Sequence, residues 1–148
     1  MKKIIKTDGT TRGKKGMALK IIIGVAILIF AIGSYFAVNY IVQLQEYRQR
    51  IADISISNVD LSKIPDGSYF GSYDAIMVAA EVRVDVSNHA ITNITLLSHK
   101  TEKGKSAEVI INDIKAKQSL EVDAISGATN SSEVILKAVQ NALNSGVK

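Results

Sequence analysis

The chain has 148 residues, a net charge of +4 and no cysteine. This length allows about one domain of ordinary size beside any membrane segment. The lack of cysteine excludes disulfides, thiolate metal sites and iron–sulfur clusters. The sequence has only two histidines, His89 and His99, so a three-histidine metal site is excluded as well. Any redox chemistry must therefore come from a bound cofactor.

Residues 21–45 form a run of 25 residues without a charged side chain. At about 1.5 Å per residue, a helix of this length exceeds the ~30 Å hydrocarbon core of a bilayer. A signal peptide has a shorter apolar region, and the small residues Ala31 and Gly33 would place a cleavage site inside this run. A buried core helix would be apolar on every face in a protein too small to surround it. The sequence predicts an uncleaved transmembrane helix over residues 21–43.

Basic residues are concentrated before this helix. Residues 1–20 contain seven Lys and Arg against one acid, Asp8, whereas residues 46–148 contain eleven basic and thirteen acidic side chains. Because Lys and Arg are retained in the cytoplasm, we expect residues 1–20 to be a flexible basic cytoplasmic tail and the C-terminal domain to lie outside the cell membrane. The basic pI belongs to the tail, so no binding of nucleic acid by the domain is expected.

After a juxtamembrane connector at residues 44–64, the only proline, Pro65, marks a turn at which a domain of residues 65–148 begins. The following pattern is typical of strands, since apolar residues from Val78 to Val86 alternate with polar or small ones. A turn at residues 87–89 and a second run rich in β-forming residues, 90–97, complete a predicted antiparallel hairpin. A short strand is predicted ahead of it at residues 68–73.

Helical spacing dominates the last third of the chain. Ala107, Ile110, Ile111 and Ile114 share one helix face and predict a helix over residues 106–117. A short extended piece at residues 120–122 follows. Apolar residues from 134 to 143 predict a final helix that Gly146 ends. The predicted fold class is α+β, a small antiparallel sheet packed with two or more helices and preceded by one N-terminal transmembrane helix.

The segment before the final helix, DAISGATNSSEV, carries dense helix-start signals. Asn130 and Glu133 have the spacing of a capping box, and Gly127 gives the chain conformational freedom just before it. Open N–H groups at this helix start would face a group bound near Thr129 and would favour a phosphate there. The same residues also fit a small-residue turn with ordinary capping, and the pattern alone leaves both interpretations open.

The run Asp123-Ala124-Ile125-Ser126-Gly127-Ala128-Thr129 resembles the D-x-x-[ST]-G-A-[ST] motif of FMN-binding domains. Such domains occur in subunits of the sodium-pumping NADH:quinone oxidoreductase and of related redox complexes. DGSYFG at residues 66–71 is similar to the opening strand of this family, and SHKTEKGK at residues 98–105 is similar to its His-and-Gly loop. In this family a flavin transferase esterifies the last threonine of the motif to the phosphate of FMN. The resemblance implies a covalent FMN on Thr129.

The resemblance also implies a wider set of cofactor-binding residues. These are Thr129, Asp123, Ser126, Gly127, Ala128, Asn130, Ser131 and His99. Asp123 is either the residue that the transferase recognises or an ordinary turn residue, and Ser126 and Ser131 either bind phosphate and ribityl oxygens or cap the helix. The loop of His99, with Lys100 and Lys105, either approaches the flavin or is an exposed basic loop.

Three aromatic residues near the start of the domain, Tyr69, Phe70 and Tyr73, have two possible roles. They either stack on the isoalloxazine ring or pack in the core. Where larger family members have a Glu-Thr-Pro-Gly run, this chain has Thr101-Glu102-Lys103-Gly104, so contacts of that loop are not carried over.

These observations predict a membrane-anchored, extracytoplasmic electron carrier with one covalent FMN, no catalytic residue and no metal site. Its expected partners are a flavin transferase and redox proteins of the membrane, such as an NADH dehydrogenase, a quinol or another flavoprotein. Two alternatives from other classes are a non-redox surface adaptor, in which the SGAT turn is only structural, and a flavin-dependent reductase. A core of about eighty residues leaves little room for a second deep pocket beside the flavin, which disfavours the reductase.

Overall fold

The computed structural model describes residues 10–101 and 103–147. Residues 1–9 of the predicted basic tail lie outside this range. Helix α1 spans Thr10–Ala52, and its segment Gly16–Ala52 is long and apolar enough to cross a membrane. Residues 10–20, expected to be a flexible tail, are helical instead. Once the apolar run has formed a helix, each further residue extends it without a new nucleation step.

The chain divides into two compact units, Met1–Val42 and Gln43–Lys148. The second unit begins with the C-terminal part of α1 and a 3-10 turn at Leu61–Lys63. Its strands are β1 (Gly67–Asp74), β2 (Ala79–Ser87) and β3 (Ala90–Lys100). A 3-10 turn at Lys105–Val109 leads into helix α2 (Ile110–Lys117), and helix α3 (Thr129–Gly146) ends the fold.

The three strands form one antiparallel sheet in the order β1-β2-β3. Asn88 and His89 connect β2 to β3 with φ angles of 50° and 59°. Positive φ at both central residues is the geometry of a type I′ turn, whose twist matches that of the strands it joins. The predicted hairpin and the α+β fold class are confirmed.

The core lies between one face of this sheet and α3. Ala80, Val82, Val84 and Val86 alternate along β2 and are all buried, as the sequence pattern predicts. Helix α3 contributes its own buried apolar residues, which are Val134, Ile135, Leu136, Ala138, Val139, Ala142 and Leu143. Burial on more than one side makes α3 the central element of the domain.

Helix α3 approaches β1 most closely at Gly71. A Cβ atom at this position would lie 2.3 Å from the carbonyl oxygen of Ala138 and 2.3 Å from the backbone nitrogen of Ala142. Only glycine allows this distance, because no Cβ atom fits between the strand and the helix backbone. The contact therefore fixes the position of α3 along the sheet.

The segment between α1 and β1, described above as a connector, packs against the core of the domain. Ile54 and Ile56 are partly buried there, and Ile64 is fully buried. The side-chain amide of Gln140 on α3 donates to the backbone oxygen of Ser57 at 3.2 Å and to its Oγ at 2.6 Å. The spacing of these apolar residues fits neither helix nor strand periodicity, because the segment is irregular and follows the surface of α3.

Two predicted elements differ in extent from the observed ones. Strand β3 continues three residues past Leu97, because Ser98, His99 and Lys100 pair with β2. The helix predicted over residues 106–117 is present, but its first turn is a 3-10 helix and the α-helical part starts at Ile110. The piece at residues 120–122 pairs with no strand of the sheet.

The contact at Gly71 predicts a large difference between two otherwise similar substitutions. Gly71→Ala should destabilise the domain by roughly 1–3 kcal/mol, because the added methyl group meets the α3 backbone and forces strand and helix apart. Gly67→Ala in the same strand is the matched control, since its Cβ would meet nothing closer than the Tyr69 hydroxyl at 3.5 Å. Pulse proteolysis of the full chain in detergent across a urea series measures both, and equal midpoints would refute the close-packing account.

Candidate functional site

A tight turn precedes helix α3 and positions its first residue. The backbone N–H of Ala128 donates to the oxygen of Ile125 at 2.9 Å, and Gly127, the third residue of this turn, has a φ of 77°. This is a type II turn, in which the third position requires positive φ. The fully buried Ser132 accepts the N–H of Ile125 on its Oγ at 3.0 Å. The turn is thus tied to the helix, and Thr129 follows it directly.

The N-terminus of α3 has no side-chain cap. The N-cap residue is Ala128, whose carbonyl accepts the N–H of Ser132 at 2.9 Å. The predicted capping box of Asn130 and Glu133 is wrong, because the type II turn ends at Ala128 and places Asn130 inside the first helical turn. The first N–H groups of α3 therefore have no capping side chain and carry the positive end of the helix dipole.

An open pocket of about 520 Å³ lies at this helix start. Its size falls within the range of small-molecule sites, about 300–1,000 Å³. The pocket is lined by Tyr47, Met77, Val78, Thr101, Lys103, Gly104, Gly127, Ala128, Thr129, Asn130 and Ser131. Thr129 is exposed, so its hydroxyl is accessible at the pocket.

Three residues of the loop after β3 also line the pocket, namely Thr101, Lys103 and Gly104. Thr101 accepts the N–H of Gly104 on its Oγ1 at 2.8 Å, and the same oxygen lies 3.2 Å from the Oγ of Ser131. A Cβ atom at Gly104 would lie 1.9 Å from that Oγ. The loop therefore rests directly on the first turn of α3. Glu102, which belongs to the same run, lies outside the described residues.

The pocket brings together part of the predicted site. Thr129, Gly127, Ala128, Asn130 and Ser131 all line it. Asp123 and Ser126 lie on the same segment and are exposed, but they are not among the lining residues. The side-chain amide of Asn130 donates to the Tyr47 hydroxyl at 2.6 Å instead of capping the helix.

The position of His99 differs from the loop expected from the sequence. His99 belongs to β3, where it pairs with Ala80 of β2. Its side chain is only 2% exposed, and its Nδ1 lies 3.1 Å from the Oε1 of Glu108. Because pairing with β2 continues to Lys100, the histidine is held in the sheet beside the 3-10 turn and does not line the pocket.

The other candidates also lie outside the pocket lining. Tyr69 donates its hydroxyl to the oxygen of Pro65 at 2.7 Å, and Tyr73 donates to the oxygen of Arg50 at 3.0 Å. Phe70 is 63% exposed and belongs to the opposite face of the sheet, since its neighbours Tyr69 and Gly71 face the core. Lys100 donates to the backbone oxygen of Ile76, and Lys105 begins the 3-10 turn.

Six of the lining residues are not predicted as site residues by the sequence: Tyr47, Met77, Val78, Thr101, Lys103 and Gly104. Thr101, Lys103 and Gly104 lie in the SHKTEKGK segment, which resembles a loop of the family. They are not predicted to bind the cofactor, because this segment departs from the Glu-Thr-Pro-Gly run of larger members. The alternating pattern predicts that a strand begins at Val78, whereas Met77 and Val78 both lie in the turn before that strand. No sequence pattern indicates Tyr47 as a site residue, because it precedes the predicted domain of residues 65–148.

The chemistry of this lining fits an amphiphilic ligand with an anionic group. The uncapped start of α3 and the Lys103 ammonium favour negative charge, and the hydroxyls of Thr101 and Ser131 supply hydrogen bonds. Tyr47, Met77 and Val78 supply apolar surface for a flat ring. No group of three His, Asp or Glu side chains that would hold a metal ion occurs among residues whose placement is described. The residues thus fit a nucleotide-like phosphate joined to an aromatic ring system.

Comparison with known families identifies the ligand class. The model of the FMN-binding domain family matches residues 77–144, a range that runs from the turn before β2 into α3 and includes every lining residue except Tyr47. Searches of curated proteins and of solved structures gave no match. The matched range contains the type II turn, Thr129 and the loop that rests on α3. Over residues 77–144 this chain is therefore similar to the FMN-binding domain family.

Proposed function

We propose that this protein is a membrane-anchored electron carrier in which FMN is attached through its phosphate to the Oγ1 of Thr129. One observation carries the proposal: an exposed threonine is the first residue of an uncapped helix and lines a pocket inside a matched FMN-binding domain. The same threonine ends the Asp123–Thr129 run that resembles the flavinylation motif. No other lining hydroxyl occupies that position of the motif.

The geometry at Thr129 suits a phosphoester. An ester on its Oγ1 places negative charge beside the first N–H groups of α3, where the helix dipole stabilises it. The hydroxyl loses its proton as the bond to phosphorus forms. A flavin nucleotide activated by a phosphoanhydride bond supplies the phosphate, and breaking that bond releases the leaving nucleotide with the proton. Ser131 and Lys103 line the same pocket and would bind phosphate oxygens.

The cofactor supplies the redox chemistry when bound, since a flavin accepts and donates one or two electrons. The chain attaches and orients it and needs no general acid, base or nucleophile of its own. The loop with Gly104 and the buried Ser132 hold the two sides of the pocket in place. A carrier of this kind passes electrons between partners and requires no second pocket for a substrate.

Asp123 is the residue that we assign to recognition by the flavin transferase. Its side chain is exposed, six residues before Thr129 on the segment that leads into the type II turn. Among the described residues it has no side-chain hydrogen bond or ion pair, so no structural role competes with recognition. An enzyme that modifies Thr129 must approach this segment from solvent, where Asp123 is accessible.

We assign the domain to the outer side of the cell membrane. The basic residues of the first twenty positions favour a cytoplasmic N-terminus, and α1 is long enough to span. Tethering raises the effective concentration of the flavin near redox partners in the same membrane. An NADH dehydrogenase, a quinol or another membrane flavoprotein would serve as donor or acceptor.

Intact mass and in-gel fluorescence test the attachment site. Co-expressed with a flavin transferase and exported, the wild-type chain should gain one FMN minus one water, about 438 Da, and fluoresce after denaturing electrophoresis. Thr129→Ala should abolish both signals because it removes the ester oxygen. Thr129→Ser is the matched control, since it keeps the hydroxyl and should keep both. Covalent flavin on the alanine variant would exclude Thr129 as the site, and a wild type without flavin would favour the non-redox adaptor.

Asp123→Asn should slow loading by the transferase several-fold while leaving the fold intact, because the exposed carboxylate makes no contact that stabilises the domain. The rate of fluorescence gain with purified transferase measures the effect. Glu121→Gln, two residues earlier and also exposed, is the control and should load at the wild-type rate. If the Asp123 variant also loads at that rate, Asp123 has no part in recognition.

Releasing the second compact unit, residues 43–148, tests the role of the anchor. The flavinylated fragment should be reduced by dithionite as fast as the full chain, because the pocket is unchanged. Reduction by energised membranes should be slower for the fragment, because it loses the effective concentration that the tether provides. Stopped-flow absorbance of the flavin measures both rates. Equal rates with membranes would mean that the helix only directs the chain to the membrane.

A further inference from the structure

The pocket at Thr129 includes one residue from outside the matched FMN-binding range, Tyr47. Tyr47 lies near the C-terminal end of α1, in the part of this helix that belongs to the compact unit Gln43–Lys148. Its side chain is half-buried and packs against the hydrophobic core of that unit. The pocket wall is therefore completed by the helix that carries the apolar, membrane-length segment.

Two hydrogen bonds fasten this part of α1 to the end of β1. The Nη1 of Arg50 donates to the backbone oxygen of Asp74 at 2.9 Å, and the hydroxyl of Tyr73 donates to the backbone oxygen of Arg50 at 3.0 Å. Ile51 packs against the core beside them. Because residues three and four apart share a helix face, Tyr47, Arg50 and Ile51 lie on the same side of α1. Tyr47 is thus directed toward the domain by the contacts of its neighbours.

The hydroxyl of Tyr47 is held next to the attachment residue. It accepts the Nδ2 of Asn130 at 2.6 Å, and Asn130 is the neighbour of Thr129 in the first turn of α3. This bond fixes the phenol ring at one end, and the ring lines the pocket with the apolar side chains of Met77 and Val78. An aromatic face beside an apolar surface is the environment in which a flat conjugated ring packs best.

We infer that Tyr47 is a flavin-binding residue, whose ring packs against the isoalloxazine of the FMN carried by Thr129 and is held in place by Asn130. The inference rests on the proposed attachment to Thr129. The end of the anchor helix then belongs to the cofactor site and is more than a tether. Thr129 and Asn130 thereby have separate roles: Thr129 carries the phosphate, and Asn130 positions the aromatic wall.

Flavin emission in the full chain, purified in detergent, tests the contact. A tyrosine ring in contact with an excited isoalloxazine quenches its fluorescence by electron donation, and contact also restricts its motion. The variants are Tyr47→Ala and Tyr47→Phe, with Tyr40→Ala as the control, since Tyr40 is an exposed aromatic residue on the same helix that does not line the pocket. Emission and anisotropy are expressed per mole of covalent flavin, which intact mass determines.

Tyr47→Ala should increase the emission several-fold and lower the anisotropy, because both quencher and wall are lost. Tyr47→Phe should increase the emission but keep the anisotropy, because the phenylalanine ring still packs but is a poor electron donor. Tyr40→Ala should match the wild type in both. If the alanine variant fails to fold or to load, the phenylalanine variant decides alone.

Two outcomes would overturn the inference, and they differ from each other. In the first, the wild type and both Tyr47 variants show equal covalent loading, equal emission and equal anisotropy. This result would show that the ring does not touch the flavin, while the attachment to Thr129 would stand. A wild-type chain that gains no flavin mass beside its transferase would overturn the attachment and this inference together.

Discussion

The close contact between β1 and α3 at Gly71 is the constraint on which the rest of the domain depends. It sets the strand and the helix backbone so near each other that a Cβ atom would lie 2.3 Å from Ala138 and Ala142. With α3 fixed on the sheet, its first residue, Thr129, has a defined position. The type II turn before it and the buried Ser132 extend this order to the chain that enters the helix. The site is thus a consequence of how the central helix packs.

Four separate parts of the chain meet at the start of α3. The turn with Gly127 comes from the segment before the helix, Gly104 belongs to the loop after β3, Met77 belongs to the turn before β2, and Tyr47 belongs to the end of α1. None of these parts forms a pocket alone. The first N–H groups of the helix have no side-chain cap, because the N-cap residue is Ala128. The missing cap is costly for a helix but useful for a bound phosphate. This arrangement suits a cofactor site better than a purely structural turn, where a capping side chain would be expected.

Much of the fold was predictable because its signals are local. The alternation along β2, the turn at Asn88 and the apolar face of α3 follow from residue order alone and are confirmed. The signals that failed depend on tertiary contacts. Asn130 has the sequence context of a cap, yet the turn at Gly127 starts the helix two residues earlier. The sequence predicts that His99 lies in a loop, but its pairing with Ala80 holds it in the sheet.

The residues of the site likewise divide into those indicated by local sequence and those that only tertiary contacts bring together. The short motif before α3 pointed to Thr129 and its neighbours because motif residues are consecutive in sequence. Tyr47 could not be predicted, since eighty-three residues separate it from Asn130, its hydrogen-bond partner. The structure of the segment between α1 and β1 could not be predicted either, because its apolar residues follow the surface of α3 and have no regular period. Contacts of this kind become visible only when the chain is folded.

The central claim is that Thr129 carries FMN in the native protein. Intact mass of the chain purified from its own membranes, followed by tandem mass spectrometry of the peptide that spans residues 118–137, tests it most directly. The account predicts a single species heavier by about 438 Da, with the added mass localised to Thr129. A native chain at its unmodified mass, or added flavin on any other residue, would contradict it.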